Sequence, residues 1–384
     1  MTAIDLCREA FAQFTLIVFV LGACIGSFLN VVIWRLPRGE RLSAPPSHCP
    51  NCHHAIRPWE NIPILSWLAL RARCSACKEP ISARYPAVEL LTGVAFLCVW
   101  FHVLAREAPP VSALPLFFLV SALIAVTFTD IETRTIPNKI TYSGLFFGLA
   151  MVLMFPAAHP AGGPQAPAGF IFPPGLLPER FLPFADSAAG ALAALLILWA
   201  IRVVSGVMFG RRRWRFENHE TLRFTPDGLF ADTEKLFGWE EIVAGDITIS
   251  PPVSSSPPLF SSALTDEREI VLHYRHGLLK GVNGRISVDQ LSHVEAGGVS
   301  ATVTRDAFGW GDIKLIIMIA ALSGAAALPF ILILSAVPGM IVGTALSLAC
   351  STCRKQGIPF APFLSFGCGV WIFFGDRLVA YFVG

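Results

Sequence analysis

Long apolar blocks separated by short polar segments dominate the chain. A helix needs about 20 mostly apolar residues to cross the hydrocarbon core of a bilayer. The pattern therefore predicts an all-α polytopic membrane protein with about eight transmembrane helices. We expect these helices at residues 14–34, 86–104, 112–129, 140–155, 185–209, 313–327, 330–350 and 359–383. The first block lacks a basic leader and a small-residue cleavage site, so we expect it to be retained in the protein.

One polar block, 211–304, breaks this pattern. Its stretches TLRFTPDGLFAD, DITIS, EIVLHYRHG and GRISVD have the composition of short strands with Gly or Asp turns. We predict an inserted, small, mostly-β cytoplasmic domain there. The remaining organisation is a first transmembrane helix (1–34), a cytoplasmic cysteine loop (35–85), helices two to five with a first aspartate motif (86–210), and a second aspartate motif with the last three helices (305–384).

Charge sets the expected orientation. Lys and Arg cluster in alternate loops, which the positive-inside rule assigns to the cytoplasm. The loops after the first, third, fifth and seventh helices carry these clusters, with Arg35, Arg38, Arg41, Arg134, Lys139, Arg211, Arg212, Arg213, Arg354 and Lys355 among them. Both termini are then outside. The net charge of +2 is uninformative about partners. As partners we expect membrane lipid and no nucleic acid. The basic segment RRRWR either contacts anionic lipid headgroups or only sets the topology.

The cysteine loop predicts a metal site. Cys49, Cys52, Cys74 and Cys77 form two C-x-x-C pairs separated by 21 residues. Two such pairs are typical of a four-sulfur zinc site, which has no open coordination position and stabilises the fold of a small loop. An iron–sulfur centre, reduced thiols or a disulfide pair are the alternatives, and a reducing cytoplasmic loop disfavours disulfides. A third C-x-x-C, Cys350 and Cys353, lacks a second pair and is interpreted as packing.

Two aspartates are the candidate catalytic residues. Asp130 ends the apolar run SALIAVTFTD and opens DIETRTIPN. Asp312 lies in GWGDIKL, at the start of the sixth predicted transmembrane helix. Ionisable residues at membrane depth are costly and usually functional, and two at matching depth predict an aspartyl dyad. A helix cap or an interfacial charge is the alternative for each. Glu132 is a possible rival to Asp130, and Lys314 is expected to reach toward the interface.

These motifs resemble those of the type IV prepilin peptidase family, the bifunctional leader peptidase/N-methyltransferases. The likeness rests on GSFLNVVIWRLP, the cysteine loop through RYPAVELLTG, DIETRTIPN, GWGDIKL and IPFAPFLSFG, in that order. It covers nearly the whole chain except residues 211–304. The resemblance implies an aspartic endopeptidase of the bacterial inner membrane, with Asp130 and Asp312 catalytic at the cytoplasmic face.

The resemblance further implies prepilin or pseudopilin substrates from type IV pilus or type II secretion systems. It also implies N-methylation of the new terminus with S-adenosylmethionine, an activity that it associates with the cysteine loop at residues 35–85. The chain has no Gly-rich nucleotide-binding loop that would support this activity independently. A peptidase without methyltransferase activity, a nonenzymatic membrane scaffold or sensor, and a proton-relaying transporter are the alternative hypotheses. The insertion could restrict access to the site or recruit a pilus or secretion assembly partner.

Overall fold

The computed structural model describes residues 3–156, 177–209, 211–225, 228–231, 234–237, 244–250, 270–275, 278–281, 284–287, 294–304, 309–349 and 359–383. These residues are mostly helical and include one β-sheet. The third C-x-x-C motif lies outside the described residues. So does the Pro- and Ser-rich stretch between the strand-like segments of the predicted insertion.

Nine α-helices are described, and their bounds follow the apolar blocks. They are α1 (Ala3–Arg35), α2 (Leu65–Ala69), α3 (Arg84–Ala105), α4 (Ala113–Thr133), α5 (Asn138–Met154), α6 (Leu182–Phe209), α7 (Trp310–Ser323), α8 (Ala327–Ala349) and α9 (Ala361–Val383).

Six of the nine helices are long and apolar enough to cross a membrane. These six stretches are Phe14–Arg35, Pro110–Thr133 and Arg84–Ala105 in the first half, and Leu182–Val204, Ala327–Leu346 and Ala361–Phe382 in the second. They coincide with six of the predicted spans to within a few residues. The other two predicted spans form α5 and α7, with 17 and 14 residues. The predicted count of eight spans is therefore not confirmed.

The shortness of α7 has a physical counterpart in its burial. At 1.5 Å per residue it extends about 21 Å, less than the roughly 30 Å of a bilayer core. Nine of its 14 residues are buried, including every residue from Met318 to Ser323. A helix that other helices cover in this way needs no lipid-facing surface, so its length is set by its neighbours.

The described chain divides into two compact units. One contains Met1–Leu195, Gly311–Met340 and Pro359–Gly384, and holds both aspartate motifs and the cysteine loop. The other contains Leu196–Trp310 and Ile341–Ile358, and holds the sheet.

In the first unit, α1 packs against α3 through glycine. A Cβ atom added at Gly22 would lie 2.9 Å from Gly93 Cα, and one added at Gly26 would lie 2.7 Å from Glu89 Cα. Gly22 and Gly26 form a G-x-x-x-G pair, a spacing that lets two membrane helices bring their backbones together. The glycines that interrupt the first apolar block are thus its contact surface with α3.

The second unit contains eight antiparallel strands, in the region where the sequence predicts a mostly-β segment. They are β1 (Arg211–Thr225), β2 (Gly228–Ala231), β3 (Glu234–Phe237), β4 (Ala244–Ser250), β5 (Ile270–Arg275), β6 (Leu278–Gly281), β7 (Gly284–Ser287) and β8 (Val294–Thr304). Phe224 and Leu229, paired across the β1–β2 hairpin, are fully buried.

The strand order reveals an internal repeat that the sequence analysis missed. The strand order is β3-β2-β1-β8-β4-β5-β6-β7. From either edge, the sheet begins with a three-stranded meander, β3-β2-β1 or β7-β6-β5, and the next strand towards the centre is β8 or β4. The last strand of each half pairs with the first strand of the other half, β4 with β5 and β8 with β1. The two halves therefore exchange their final strands across a pseudo-twofold centre between β4 and β8.

The glycine contact between α1 and α3 generates a stability prediction. Gly26→Ala places a methyl group 2.7 Å from backbone that cannot rotate away, so we expect a loss of about 1–3 kcal/mol. Gly369→Ala in α9 is the matched control because nothing lies within 4 Å of its added Cβ. Thermal unfolding of the two purified variants in detergent checks this difference. Equal melting temperatures would contradict the packing account.

Candidate active site and metal centre

The cysteine loop contains two similar turns, each built on one C-x-x-C pair. In the first, Cys49 N donates to His54 O at 2.9 Å and His53 N donates to Cys49 O at 2.9 Å. In the second, Cys74 N donates to the carbonyl of Glu79 at 2.8 Å. His53 has a φ of 56°, and the equivalent Lys78 has a φ of 63°. The shared turn directs both cysteines of each pair to one side.

The four sulfur atoms fit a tetrahedral metal. Cys49 Sγ lies 3.7 Å from Cys77 Sγ, Cys52 Sγ lies 4.0 Å from Cys74 Sγ, and all four lie within 4.8 Å of one another. A Zn–S bond of about 2.3 Å in a tetrahedron puts the sulfurs about 3.8 Å apart. The same separations exceed the roughly 2.05 Å of a disulfide bond. The cluster can therefore hold a zinc ion.

Electrostatics support a cation among these thiols. The backbone N–H of Cys52 lowers the pKa of Cys49 to about 7, and that of Cys77 lowers the pKa of Cys74. For Cys77, the N–H of Glu79 lowers the pKa, but desolvation and the neighbouring thiols outweigh it and raise the pKa to about 11. Four crowded thiols cannot all ionise cheaply by themselves. A bound metal ion removes that obstacle and displaces their protons.

Two buried charged residues anchor the loop to the helices. Arg35, at the end of α1, donates to the carbonyls of Arg41, Leu42 and Pro45 at 3.2, 3.1 and 2.6 Å. Glu89 of α3 accepts the N–H of Ile64 at 2.7 Å. Each charged side chain satisfies main-chain groups of a loop that otherwise has a small core.

Asp130 lies in the last turn of α4, where it caps another helix. The residue is 6% exposed, and its Oδ2 accepts the backbone N–H of Ala361 at 3.0 Å, at the start of α9. A helix N terminus attracts negative charge. The capping role that sequence analysis gave as the alternative to catalysis is thus present, and it fixes the orientation of the carboxyl group.

Glu132, the rival to Asp130, has a different environment. It forms an ion pair with Arg84 at the start of α3. Asp130 is buried and accepts a hydrogen bond from α9, whereas Glu132 contacts α3. This difference favours Asp130 as the candidate of the pair.

Asp312 is half-buried in the first turn of α7. The residues on either side of it contact the segment that follows α4. A Cβ at Gly311 would lie 3.1 Å from Ile136 Cβ, and Lys314 Nζ donates to Asn138 Oδ1 at 2.9 Å. The structure therefore brings the two aspartate motifs together at one end of the helix bundle.

Tertiary contacts determine how this turn is packed. The space left by the missing side chain of Gly311 is occupied by Ile136. Lys314, which the sequence analysis expects to reach toward the membrane interface, binds Asn138 and lies 5.3 Å from the ring centroid of Tyr142. In both cases a tertiary contact decides the role, and the local sequence contains no signal for it.

A third membrane carboxylate, which the sequence analysis did not single out, lies at the other end of the bundle. Asp186 of α6 accepts the N–H of Ala325, in the turn between α7 and α8, at 3.2 Å. Gly190 lets that turn approach α6 closely, since an added Cβ would be 2.9 Å from Ala325 N. Asp186 thus closes the far end of α7, and its position inside an apolar run was the available signal.

Comparison with known proteins decides the family. Residues 20–103 match the bacterial peptidase A24 N-terminal domain, and residues 117–249 and 286–344 match the type IV leader peptidase family. The chain belongs to the type IV leader peptidase family. The cysteine cluster falls in the first matched range, and Asp130 and Asp312 fall in the two parts of the second.

Individual relatives agree with this membership. A prepilin leader peptidase/N-methyltransferase of Aeromonas hydrophila is 27% identical over 391 residues, which cover 96% of this chain and 93% of that protein. One of Myxococcus xanthus is 48% identical over 138 residues, 36% of this chain and 40% of the relative. An Escherichia coli type 4 prepilin-like proteins leader peptide-processing enzyme is 34% identical over 53% of this chain and 72% of its own length. No solved structure matches the chain significantly.

The sulfur cluster generates a metal prediction. We expect Cys77→Ser to lose bound zinc, whereas Cys98→Ser, which alters an exposed cysteine of α3, keeps it. Metal analysis of the purified proteins measures both. Equal zinc in both variants, or none in the wild type, would contradict a four-sulfur site.

The thiol pKa values give this site a pH dependence. Because the Cys77 pKa of about 11 leaves that thiol protonated at neutral pH, zinc must displace its proton on binding. We expect the affinity of the metal-free protein for zinc to fall as pH is lowered from about 8 to about 6. A competition titration with a chromophoric chelator follows it, and an affinity independent of pH would exclude thiolate ligation.

Proposed function

We propose that this protein is a multi-pass aspartic endopeptidase of the bacterial inner membrane. It cleaves the leader from prepilins or pseudopilins at the cytoplasmic face and N-methylates the new terminus with S-adenosylmethionine. Asp130 and Asp312 are the catalytic residues. The four cysteines Cys49, Cys52, Cys74 and Cys77 hold a structural zinc ion. Family membership and the names of the relatives support this function.

The observation that carries the proposal is the contact between the two aspartate motifs. The first turn of α7, which includes Asp312, is attached to residues six and eight positions after Asp130 through Gly311–Ile136 and Lys314–Asn138. Two carboxyl groups brought close cannot both ionise cheaply, so they share a proton over a wide pH range. Such a pair supplies a base and an acid at one place.

The hydrolytic step follows from that shared proton. The ionised carboxylate takes a proton from water, whose oxygen attacks the scissile carbonyl carbon. The protonated partner donates a hydrogen bond to the carbonyl oxygen as negative charge develops there. Transfer of a proton to the leaving nitrogen then breaks the C–N bond, and one water molecule has been added across it.

The methylation step uses the amine that cleavage creates. When bound, S-adenosylmethionine would supply an activated methyl group to the neutral nitrogen of the new terminus. The chain's part is to hold the donor and the new terminus side by side and to keep them oriented.

The zinc site and the sheet are proposed to act indirectly. Four cysteine ligands leave zinc no open position, so it supports the loop that Arg35 and Glu89 anchor to α1 and α3. The strands Arg211–Thr304 contribute neither aspartate. Recruitment of a pilus or secretion assembly partner is the role we propose for them.

Substitution of the aspartates tests the peptidase. Asp130→Asn and Asp312→Asn each remove a charge while keeping an oxygen acceptor, including the one that caps α9 at Ala361. We expect each to lower leader cleavage by at least about 100-fold, the scale of lost acid–base catalysis. Asp186→Asn is the matched control because Asp186 contacts the turn at Ala325, away from both motifs. Ordinary cleavage by either test variant would contradict the aspartyl dyad, whereas no cleavage by any form, the wild type included, would favour a scaffold or sensor.

A further inference from the structure

The middle of the cysteine loop, residues 56–73, exposes a row of large apolar side chains. Trp59, Ile62, Leu65 and Leu68 are 63%, 46%, 64% and 58% exposed. Among the described residues, no other part of the protein covers them. Several exposed apolar side chains so close together indicate a surface that contacts a membrane or another molecule.

Helix α2 separates two sides of this segment. Leu65 and Leu68 are three positions apart and share the exposed side of the helix. Ser66 and Trp67 lie on the other side and line a cavity bordered by α1, α3 and the cysteine loop. Trp67 is held there by a 3.1 Å hydrogen bond from Nε1 to Ile81 O. The outward direction of the two leucines is therefore fixed by the fold of the loop.

Hydrogen bonds to α3 and to the residues before it set the depth of α2. Ile64, the N-cap of α2, donates its N–H to Glu89 Oε2 at 2.7 Å. The candidate membrane span of α3 begins at Arg84, so Glu89 lies about 7.5 Å inside that end of the span. Trp67 is bonded to Ile81, which precedes the span. Helix α2 thus lies at the boundary of the span.

This depth matches that of a membrane interface. An interfacial amphipathic segment buries its apolar side about 5–10 Å into the boundary between headgroups and acyl chains, and the depth of about 7.5 Å at Ile64 lies in this range. Leu90 and Leu91 follow Glu89 within the span and are exposed. The exposed apolar side chains of the loop therefore begin at the level where α3 presents its own to lipid.

The exposed charges of residues 56–73 are all positive. Arg57, Arg71 and Arg73 are exposed, and none has an ion-pair partner among the described residues. The one acidic residue of the segment, Glu60, is half-buried and lines the cavity. Arginine beside exposed apolar and aromatic side chains complements a leaflet that contains anionic lipid.

We propose that residues 56–73 are an interfacial anchor that binds anionic lipid of the cytoplasmic leaflet. Trp59, Ile62, Leu65 and Leu68 insert among the headgroups and the upper acyl chains, and the three arginines contact lipid phosphates. The anchor holds the cysteine loop from the lipid side while α3 holds it from within the protein. The inference rests on the membrane-spanning helices and is independent of the peptidase and methyltransferase activities.

Site-specific photocrosslinking tests the orientation of α2. The full-length protein is placed in nanodiscs of phosphatidylcholine and phosphatidylglycerol, with photoreactive benzoylphenylalanine in place of Leu65 or Leu68. We expect lipid adducts by mass spectrometry at both positions. Ser66, on the cavity side of the same helix, is the matched control, with a yield at least about 10-fold lower because only the outer side reaches the leaflet. Zinc content reports the folding of each variant.

The charge of the captured lipid gives a second readout. In equimolar lipid, we expect adducts at position 65 to be enriched in phosphatidylglycerol. Arg57→Gln removes a cation that lies 5.6 Å from the ring centroid of Trp59, so we expect the enrichment to fall about threefold to fivefold. Arg180→Gln is the matched control because that exposed arginine lies 4.9 Å from the ring centroid of Phe181, before α6. An equal effect of both variants would contradict a local contact.

A third measurement needs no variant. Phosphatidylglycerol with a diazirine near its headgroup is photoactivated around the wild-type protein, and the labelled peptides are mapped. We expect label on peptides that contain residues 59–68. Label confined to peptides of the membrane-spanning helices would overturn the anchor.

The remaining outcomes would assign the surface differently. Adducts from position 65 or 68 to a second copy of the chain would indicate self-association, and replacement of lipid adducts by adducts to added prepilin would indicate a substrate site. Equal lipid adducts at Ser66 would show that α2 has no fixed outer side. A zinc-loaded protein without lipid adducts at either leucine would show that this surface faces water. Each of these results overturns the proposal.

Discussion

The nine residues from Asp130 to Asn138 connect α4 with four other helices, and the candidate site depends on those connections. Asp130 caps α9 at Ala361, and Glu132 pairs with Arg84 of α3. Farther on, the segment contacts the first turn of α7 around Asp312 and then begins α5. Each contact uses a polar group or a close approach at the same end of the bundle. The loop between α4 and α5 thus has the rigidity that a catalytic carboxylate requires.

The same segment also reaches the neighbourhood of the cysteine loop. Asp130 and the start of α7 form the proposed hydrolytic site. Glu132 lines a cavity of about 760 Å³ that is bordered by α1, α3 and the cysteine loop. Glu89 lines the same cavity, and the missing side chain of Gly26 lets α1 approach α3 closely at that residue.

Sequence patterns were sufficient for six of the long helices and for the four-cysteine cluster. Apolar blocks predicted six helices of membrane-spanning length, and two C-x-x-C pairs predicted four sulfurs that the fold brings within 4.8 Å. Such signals are local, since they depend on period and spacing. The count of eight spans is not confirmed at α5 and α7, which have 17 and 14 residues. A helix enclosed by neighbours, as α7 is, can be as apolar as one that crosses lipid.

Tertiary contacts could not be predicted in the same way. The partners of Lys314 and Gly311 are more than 170 residues away in the chain, and no property of GWGDIKL identifies them. The role of Gly26 emerges only once α3 is beside it. The repeat within the sheet was also missed, because pairing of β4 with β5 and β8 with β1 exchanges strands between its halves.

The distance between the Asp130 and Asp312 carboxyl groups, in an experimental structure with a prepilin segment bound, tests the central claim most directly. The account predicts that they lie within about 6 Å of each other, the span of one bridging water molecule, with the scissile carbonyl between them. Carboxyl groups that remain well beyond that separation, or that face different sides of α4 with the segment bound, would contradict a shared catalytic site.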